Sequence, residues 1–264
     1  MPTCVKLSDP DAWQLMSHVE LRFYAELNDF LRDAWKQRRF RLELNRRTSV
    51  KDLIESLGVP HTEVEVILAN GTSVDFGYIV SDRDYLSIYP MFESVDVSPI
   101  LKLRDAPLRE TKFVLDCHLG RLARYLRQFG FDTLYRNDYN DDDLAEISST
   151  QHRILLTRDR NLLKRSIITH AYFIRDHDPR KQLDEVIRRF DLKSRITPFG
   201  RCTRCNGIVQ EVDKATIEDR LEPKTRKYFD TFWQCTGCGQ IYWEGSHVKH
   251  MLKLTDEVLN SPAG

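Results

Sequence analysis

The sequence holds no apolar run approaching the roughly 18 residues that a bilayer-spanning helix needs, so no such helix is expected. It has no surplus of either charge: 40 basic residues face 40 acidic ones, a formal net charge of zero. Nucleic-acid binders usually carry a basic excess, so any such role here must rest on a local basic groove rather than on bulk attraction. Internal repeats and low-complexity tracts are missing too. So is the apolar stretch of a secretory signal, and the opening MPTCVKLSDPDAW reads as a lead-in within residues 1–17. These absences lead us to expect a cytoplasmic chain with no membrane partner. What is present fits a folded protein: 41% apolar and 30% charged residues over 264 positions, enough to bury one large core or two ordinary ones.

Residues 18–92 read as one α+β unit. His18–Tyr24 alternates with Val19, Leu21 and Phe23 on one face, and Arg38–Asn45 alternates through Phe40, Leu42 and Leu44. Thr48 or Ser49 can cap a helix whose apolar positions are Val50, Leu53, Ile54 and Leu57, stopped by Gly58 and Pro60. A strand over Val64–Leu68 leads to an Asn70-Gly71 turn, and Tyr85–Tyr89 forms a last strand ending at Pro90. A helix on a small mixed sheet follows. This order, with the closing Asp84-Tyr85-Leu86-Ser87-Ile88-Tyr89-Pro90, resembles the ubiquitin-like β-grasp domains of the ThiS/MoaD sulfur-carrier type. Those carriers work through a free C-terminal Gly-Gly, whereas this strand continues through Met91 to Pro99. The unit is therefore expected to bind or position a partner rather than to carry sulfur.

Residues 93–111, with Pro99 and Pro107, read as a linker. From residue 112 to 197 short apolar runs alternate with amphipathic stretches. Phe113–Leu115, Phe131–Tyr135, Ile154–Leu156 and Tyr172–Ile174 are buried-type strands. Between them, helices are expected from Leu119 to Phe129, from Asp141 to Thr150, and after Pro179, the last capped by Asp178. Such alternation implies an α/β fold with a parallel, helix-covered sheet. Residues 198–250 hold a cysteine-rich segment and 251–264 a C-terminal tail.

Cys202, Cys205, Cys235 and Cys238 are spaced C-x2-C-x29-C-x2-C. Each pair places two thiolates on one tight knuckle, and two knuckles complete a closed tetrahedral S4 site suited to a structural Zn2+. Cys4 and Cys117 stand apart, and Cys117 reads as a small core residue rather than a nucleophile. His118, His247 and His250 read as structural or solvated histidines.

Among the carboxylates, Asp116 follows Phe113-Val114-Leu115 and Asp159 lies just beyond Ile154-Leu155-Leu156-Thr157. In a parallel sheet both fall at the carboxyl ends of strands, where open α/β folds place their sites. Asp141 opens the helix before the second of these strands, either as an ordinary cap and solvated first turn or as a third acid in the same crevice. Three converging carboxylates call for a hard divalent cation, Mg2+ or Mn2+, and such ions assist phosphodiester cleavage.

Phe113-Val114-Leu115-Asp116, Leu119-Gly120-Arg121-Leu122-Ala123-Arg124-Tyr125-Leu126-Arg127 and Ile154-Leu155-Leu156-Thr157-Arg158-Asp159 closely resemble the Mut-seven C-terminal RNase family, PIN (PilT N-terminus) nucleases with a zinc ribbon. Pro198-Phe199-Gly200-Arg201-Cys202 and Cys235-Thr236-Gly237-Cys238-Gly239-Gln240-Ile241-Tyr242-Trp243 resemble its ribbon, and some members carry a ubiquitin-like domain ahead of the nuclease. The resemblance implies a PIN-like sheet closed by a ribbon, with Asp116, Asp141 and Asp159 as the metal-site acids. Asp142 or Asp143 could take the place of Asp141. Where such sites often use a fourth acid this chain offers Leu162 and Leu163, with Asp176 or Asp178 as substitutes.

Basic residues accompany these motifs. Arg121, Arg124 and Arg127 fall on the polar side of their helix, while Arg158, Arg160, Lys164 and Arg165 flank Asp159. Lys224, Arg226 and Lys227 run into Tyr228, Phe229, Phe232 and Trp233, as single-strand binding or as a ribbon core with solvated charges. Arg121, Arg124 and Arg158 are the expected RNA contacts. The expected function is Mg2+- or Mn2+-dependent hydrolysis of RNA; the rivals are an RNA-binding protein that does not cut and an adaptor recruiting a protein through its β-grasp unit. A haloacid-dehalogenase-type phosphatase is not expected, because Asp116-Cys117-His118 lacks the second Asp of D-x-D.

Overall fold

The computed structural model describes residues 17–90, 111–245, 253–258 and 260, in two units, Met1–Pro107 and Leu108–Gly264. Cys4, His247 and His250 lie outside the described residues.

In the first unit, strand β1 (Ser17–Phe23) buries Ser17, Val19, Leu21 and Phe23 and turns the intervening residues outward, as period-two alternation requires. It pairs antiparallel with β2 (Phe40–Leu44) and parallel with β5 (Tyr85–Pro90). Strands β3 (Val64–Ala69) and β4 (Thr72–Val74) complete the order β2-β1-β5-β3-β4. Asn70 and Gly71 both adopt positive φ, at 52° and 86°, which suits the turn of a tight hairpin. Helix α1 (Val50–Ser56) buries Val50, Leu53 and Ile54, and its first turn is capped by the Ser49 hydroxyl, which accepts from Asp52 N–H at 3.1 Å. The sheet order and the single helix are those of a β-grasp. One stretch had no sequence signature: 3-10 turns at Ala25–Phe30 and Asp33–Trp35 fill the connection from β1 to β2 and bury Leu27 and Phe30.

In the second unit, β6 (Phe113–Leu115), β7 (Thr133–Tyr135), β8 (Ile154–Thr157) and β9 (Ala171–Phe173) form an all-parallel sheet in the order β7-β6-β8-β9. Helices α2 (Gly120–Gln128) and α3 (Asp141–Thr150) make the crossovers from β6 to β7 and from β7 to β8, and α4 (Pro179–Arg189) follows β9. Alternation sorts the strand residues between two faces. Phe113, Leu115, Ile154 and Leu156 pack with Leu122 and Leu126 of α2 and Leu183, Val186 and Ile187 of α4. Val114 and Leu155 pack with Leu144 and Ala145 of α3 on the other face. Each of these Val, Leu, Ile and Phe side chains, fully buried, contributes about 1.5–3 kcal/mol of transfer free energy. Residues 253–258 are helical, and Leu254 and Val258 join the first of these cores.

The chain leaves β6 for β7 and then crosses back through α3 to β8. Strands β6 and β8 are thus neighbours although not consecutive, and the order reverses between them. In doubly wound sheets the crevice at that reversal, at the carboxyl ends of the strands, is where ligands bind.

Beyond the sheet lies a small three-stranded antiparallel ribbon, β10 (Val209–Val212), β11 (Phe232–Cys235) and β12 (Ile241–Trp243), with a short helix α5 (Pro223–Tyr228) between the first two. Its apolar content is slight. One cluster gathers Cys202, Cys235 and Tyr242, another Ile217, Leu221 and Phe232. The fold class is therefore α/β with a ribbon, preceded by an α+β β-grasp unit.

Polar groups dock the ribbon on the sheet. Asp132, just before β7, accepts from Arg153 Nη1 at 2.7 Å and Asn206 Nδ2 at 2.8 Å, with Arg201 Nη2 at 3.4 Å. Asn206 Oδ1 in turn accepts from Thr133 N–H at 2.9 Å. At the end of α2, Gly130 has φ +90°, and a Cβ there would stand 2.4 Å from the Thr197 carbonyl, so only glycine lets the chain pass so close.

Burial opposes the charge on Asp132, but the Arg153 and Asn206 hydrogen bonds outweigh it and hold the carboxyl below the usual carboxylate range. A depressed folded-state pKa gives stability that is fully present above the unfolded value of about 4 and is lost as pH falls through the folded one. We expect Asp132→Ala to cost roughly 3 kcal/mol in urea unfolding at neutral pH, because it strands Arg153 and Arg201 partly buried. The difference from wild type should shrink below about pH 4. A mutant as stable as wild type would show that this network does not hold the ribbon to the sheet.

Candidate active site and metal centre

Asp116 directly follows β6 and is 8% exposed. Its N–H donates to the Leu156 carbonyl at 3.1 Å, which fixes the backbone to β8. Side-chain alternation carries over: with Val114 and Leu155 facing α3, Asp116 and Thr157 continue on the same face. Their side chains meet there, the Thr157 hydroxyl donating to Asp116 Oδ2 at 2.8 Å. Thr157 Oγ1 also accepts from Asp159 N–H at 2.9 Å, and Asp159 Oδ1 accepts from Asn161 N–H at 2.7 Å. Thr157, fully buried, thus orients one carboxylate and the backbone of the other. Sequence reading missed it as a functional residue. Its signal was a hydroxyl at the last position of an otherwise apolar strand.

Asp141 is the first residue of α3, whose N-terminus lies at the rim formed by the carboxyl ends of the strands. The cap is Asn140: its Oδ1 accepts from Asp143 N–H at 2.9 Å while Asp143 Oδ2 accepts from Asn140 N–H at 3.1 Å, a reciprocal capping box. Asp143 is therefore occupied and Asp142 is ion-paired with Arg165, which leaves Asp141 exposed without either duty. Asp178 is spent on α4, accepting from Arg180 and Lys181 N–H. Leu162 and Leu163, where a fourth acid would be sought, are buried.

Among the described residues, two groups bring three or more possible ligand atoms within 4.8 Å of one another: the four cysteines, and Asp116 with Cys117 and His118. Asp116, Asp141 and Asp159 do not form such a group. Burial and the neighbouring Asp116 carboxylate raise the Cys117 thiol above its ordinary pKa, which disfavours a thiolate nucleophile. His118 is exposed at the mouth of the site.

The arginines divide. Arg121 and Arg124 are exposed on α2. Arg127 is not on the polar surface: it is 4% exposed, its Nε donates to the Thr133 carbonyl at 2.8 Å, and its Nη1 reaches the Thr203 and Arg204 carbonyls at 3.3 and 3.2 Å. Burial lowers its pKa from the ordinary arginine value, while Cys202 and Cys205 favour its charge. Arg158 is half-buried and bonds the carbonyls of Arg175 and Asp176 and the ring of His177, so its guanidinium braces a loop. In the ribbon, Phe232 is core, Phe229 and Trp233 pack against the ribbon clusters, and Tyr228 alone of that aromatic set is largely exposed.

The four cysteines present Cys202 Sγ 3.6 Å from Cys238 Sγ and Cys205 Sγ 3.4 Å from Cys235 Sγ. These are far longer than the ~2.05 Å of a disulfide. Zn–S bonds of about 2.3 Å in a tetrahedron imply S···S edges of about 3.8 Å, so the donor set fits a metal. Burial resists ionisation of Cys202, but the Tyr242 hydroxyl, 3.2 Å away, and neighbouring N–H groups bring it to about 7. Tyr242 itself is pushed up to about 12 by burial and by that sulfur. Cys202 is thus ready to lose its proton to a metal at neutral pH. Gly207 keeps the knuckle open, since a Cβ there would sit 2.9 Å from Cys235 Sγ.

A family model described as the Mut7-C RNAse domain matches residues 111–255, more than half of the 264-residue chain, and one described as Mut7-C ubiquitin matches residues 16–96. No curated protein and no solved structure matches the chain. The parallel sheet, the four-cysteine ribbon that could bind zinc and the β-grasp unit ahead of them agree with those two models, and the chain belongs to the Mut7-C RNAse family.

Proposed function

We propose that this chain is a metal-dependent ribonuclease of PIN type that hydrolyses RNA phosphodiester bonds. The observation that carries the reading is the pairing across the strand reversal: Asp116 and Asp159 stand at the ends of adjacent parallel strands, joined through the Thr157 hydroxyl. Asp116, Asp141 and Asp159 would hold Mg2+ or Mn2+, whose oxygen-ligand preference suits carboxylates. When bound, that ion would polarise the phosphate and lower the pKa of water for attack. The protein's own contribution is to hold Asp116 in place through Thr157 and the Leu156 carbonyl. Arg121 and Arg124 would bind backbone phosphates, whereas the bracing role of Arg158 argues for an indirect part. Cys202, Cys205, Cys235 and Cys238 would hold a structural Zn2+. The site of action would be the cytoplasm, whose reducing environment keeps such thiols available to a metal.

The β-grasp unit would position the nuclease or recruit a protein partner. A non-catalytic RNA-binding role is the rival, favoured by the two buried leucines where a fourth acid would stand. Incubating purified protein with total RNA in Mg2+, Mn2+ or EDTA decides between them: cleavage with a metal and none in EDTA is expected, and RNA binding without cleavage under either metal would overturn the enzymatic reading.

A further inference from the structure

Two cavities lie along α2. One, of about 430 Å3, starts at His118 beside Asp116 and is lined by Arg121, Arg124 and Tyr135. The other, of about 690 Å3, shares those three residues and continues to Thr203 and Arg204 on the first cysteine knuckle. Their shared lining makes them one groove leading from the mouth of the candidate active site to the ribbon. In a chain with no net charge, this groove contains no acidic lining residue.

Its arginines differ in what they have left to offer. Arg136 is answered by Asp138 at 2.6 Å, and Arg127 is spent on backbone carbonyls. Arg121, Arg124 and Arg204 are exposed and have no ion-pair partner among the described residues. The knuckle wall is not loose, because buried Arg127 of α2 grips the carbonyls of both Thr203 and Arg204. The backbone of Arg204 is thereby held, and its side chain lines the same groove as Arg121 and Arg124. Two arginines on one wall, one on the other and no carboxylate between them suit a chain of phosphates. Tyr125 and Tyr135, packed against the core beneath, also line it, and aromatic lining favours unpaired bases over a duplex.

We propose that α2 and the first zinc knuckle are the two walls of a binding groove for single-stranded RNA, with Arg204 a phosphate-binding residue on the ribbon wall. This rests on the ribonuclease reading for the nature of the ligand, but not on catalysis. The ribbon then does more than close the fold: it supplies half of the substrate grip.

The test measures binding of a single-stranded RNA oligonucleotide to the full chain carrying Asp116→Asn, to prevent cutting, as a function of salt. Three free arginines predict a log–log salt slope of about −2, and Arg204→Ala should weaken binding by roughly tenfold and reduce the slope by about 0.7. Arg204→Glu should weaken it further, and Arg188→Ala, an exposed change on α4 outside the groove, should do nothing. Metal analysis of each variant confirms an intact ribbon. A hairpin duplex of the same length should bind more weakly. Undiminished binding in both Arg204 variants, or equal affinity for the duplex, overturns the groove. Wild-type protein that cuts RNA while Arg204→Glu leaves KM and Kd unchanged removes the groove and keeps the nuclease. Arg204-dependent binding by wild-type protein that never cuts does the reverse.

Discussion

Cys235→Ser should yield protein with no bound zinc and with an unfolded ribbon between about residues 198 and 245. The physical reason is the poverty of the ribbon's core. Its two clusters contain Cys202, Cys235 and Tyr242, and Ile217, Leu221 and Phe232, with a few partly buried neighbours. So little apolar burial cannot offset the conformational entropy of some 50 ordered residues, each costing about 1–2 kcal/mol. Structural zinc sites in small modules contribute about 10–16 kcal/mol of apparent binding free energy, which is folding free energy there. Losing one thiolate of four removes most of it. The parallel sheet, with its own double-sided core, should remain folded but lose the Asn206 and Arg201 contacts to Asp132. Metal analysis should return about one zinc per wild-type chain and none for the mutant, and limited proteolysis should nick the mutant within the ribbon first. A zinc-free protein whose ribbon resists protease as well as wild type would show that the cysteines are not a metal site.

Much of this architecture was legible in the residues because local rules settled it. Asp141–Thr150 is a helix with the bounds read from its apolar spacing, and Ser49 and Asp178 cap where a short polar residue precedes an amphipathic run. The cysteine spacing specified the knuckles, since C-x2-C permits few other geometries. What escaped were the decisions taken by distant contacts. Arg127 sits six residues after Arg121, and at 100° per residue it lies about 120° around the helix from it, on the edge of the polar face. Whether an edge residue is wet or buried depends on what packs there, and here it is the knuckle 76 and 77 residues on. Asp132 carried no local signal, because its partners Arg153, Arg201 and Asn206 come from two other parts of the chain. Arg158 beside Asp159 looked like a substrate contact, yet the 175–177 loop folds back to use its donors. Long, flexible cationic side chains are the ones whose roles sequence position determines least.

Asp116→Asn and Asp159→Asn should each lower RNA cleavage by on the order of 10²-fold or more, equivalent to about 3 kcal/mol of barrier. Both substitutions preserve shape. An asparagine at 116 can still accept from the Thr157 hydroxyl through its amide oxygen, and one at 159 can still accept from Asn161 N–H, so the hydrogen bonds that fix the rim survive. What is removed is one unit of negative charge from a site whose proposed work is to hold a divalent cation against phosphate. The weaker ligand set should show first as a higher metal concentration for half-maximal cleavage, and then as a lower rate at saturating metal. Stability should hold or rise, because burying the Asp116 charge at 8% exposure is costly when no cation shares the site. Affinity for RNA should change little, since phosphate contacts are assigned to arginines on α2 and the knuckle. Asp141→Asn, on an exposed first turn, should cost the helix a few tenths of a kcal/mol through the lost charge–dipole interaction and should impair cleavage as well. A loss confined to Asp116 and Asp159, with Asp141→Asn fully active, would leave a two-carboxylate site. Undiminished cleavage in all three would show that the chemistry lies elsewhere in the fold.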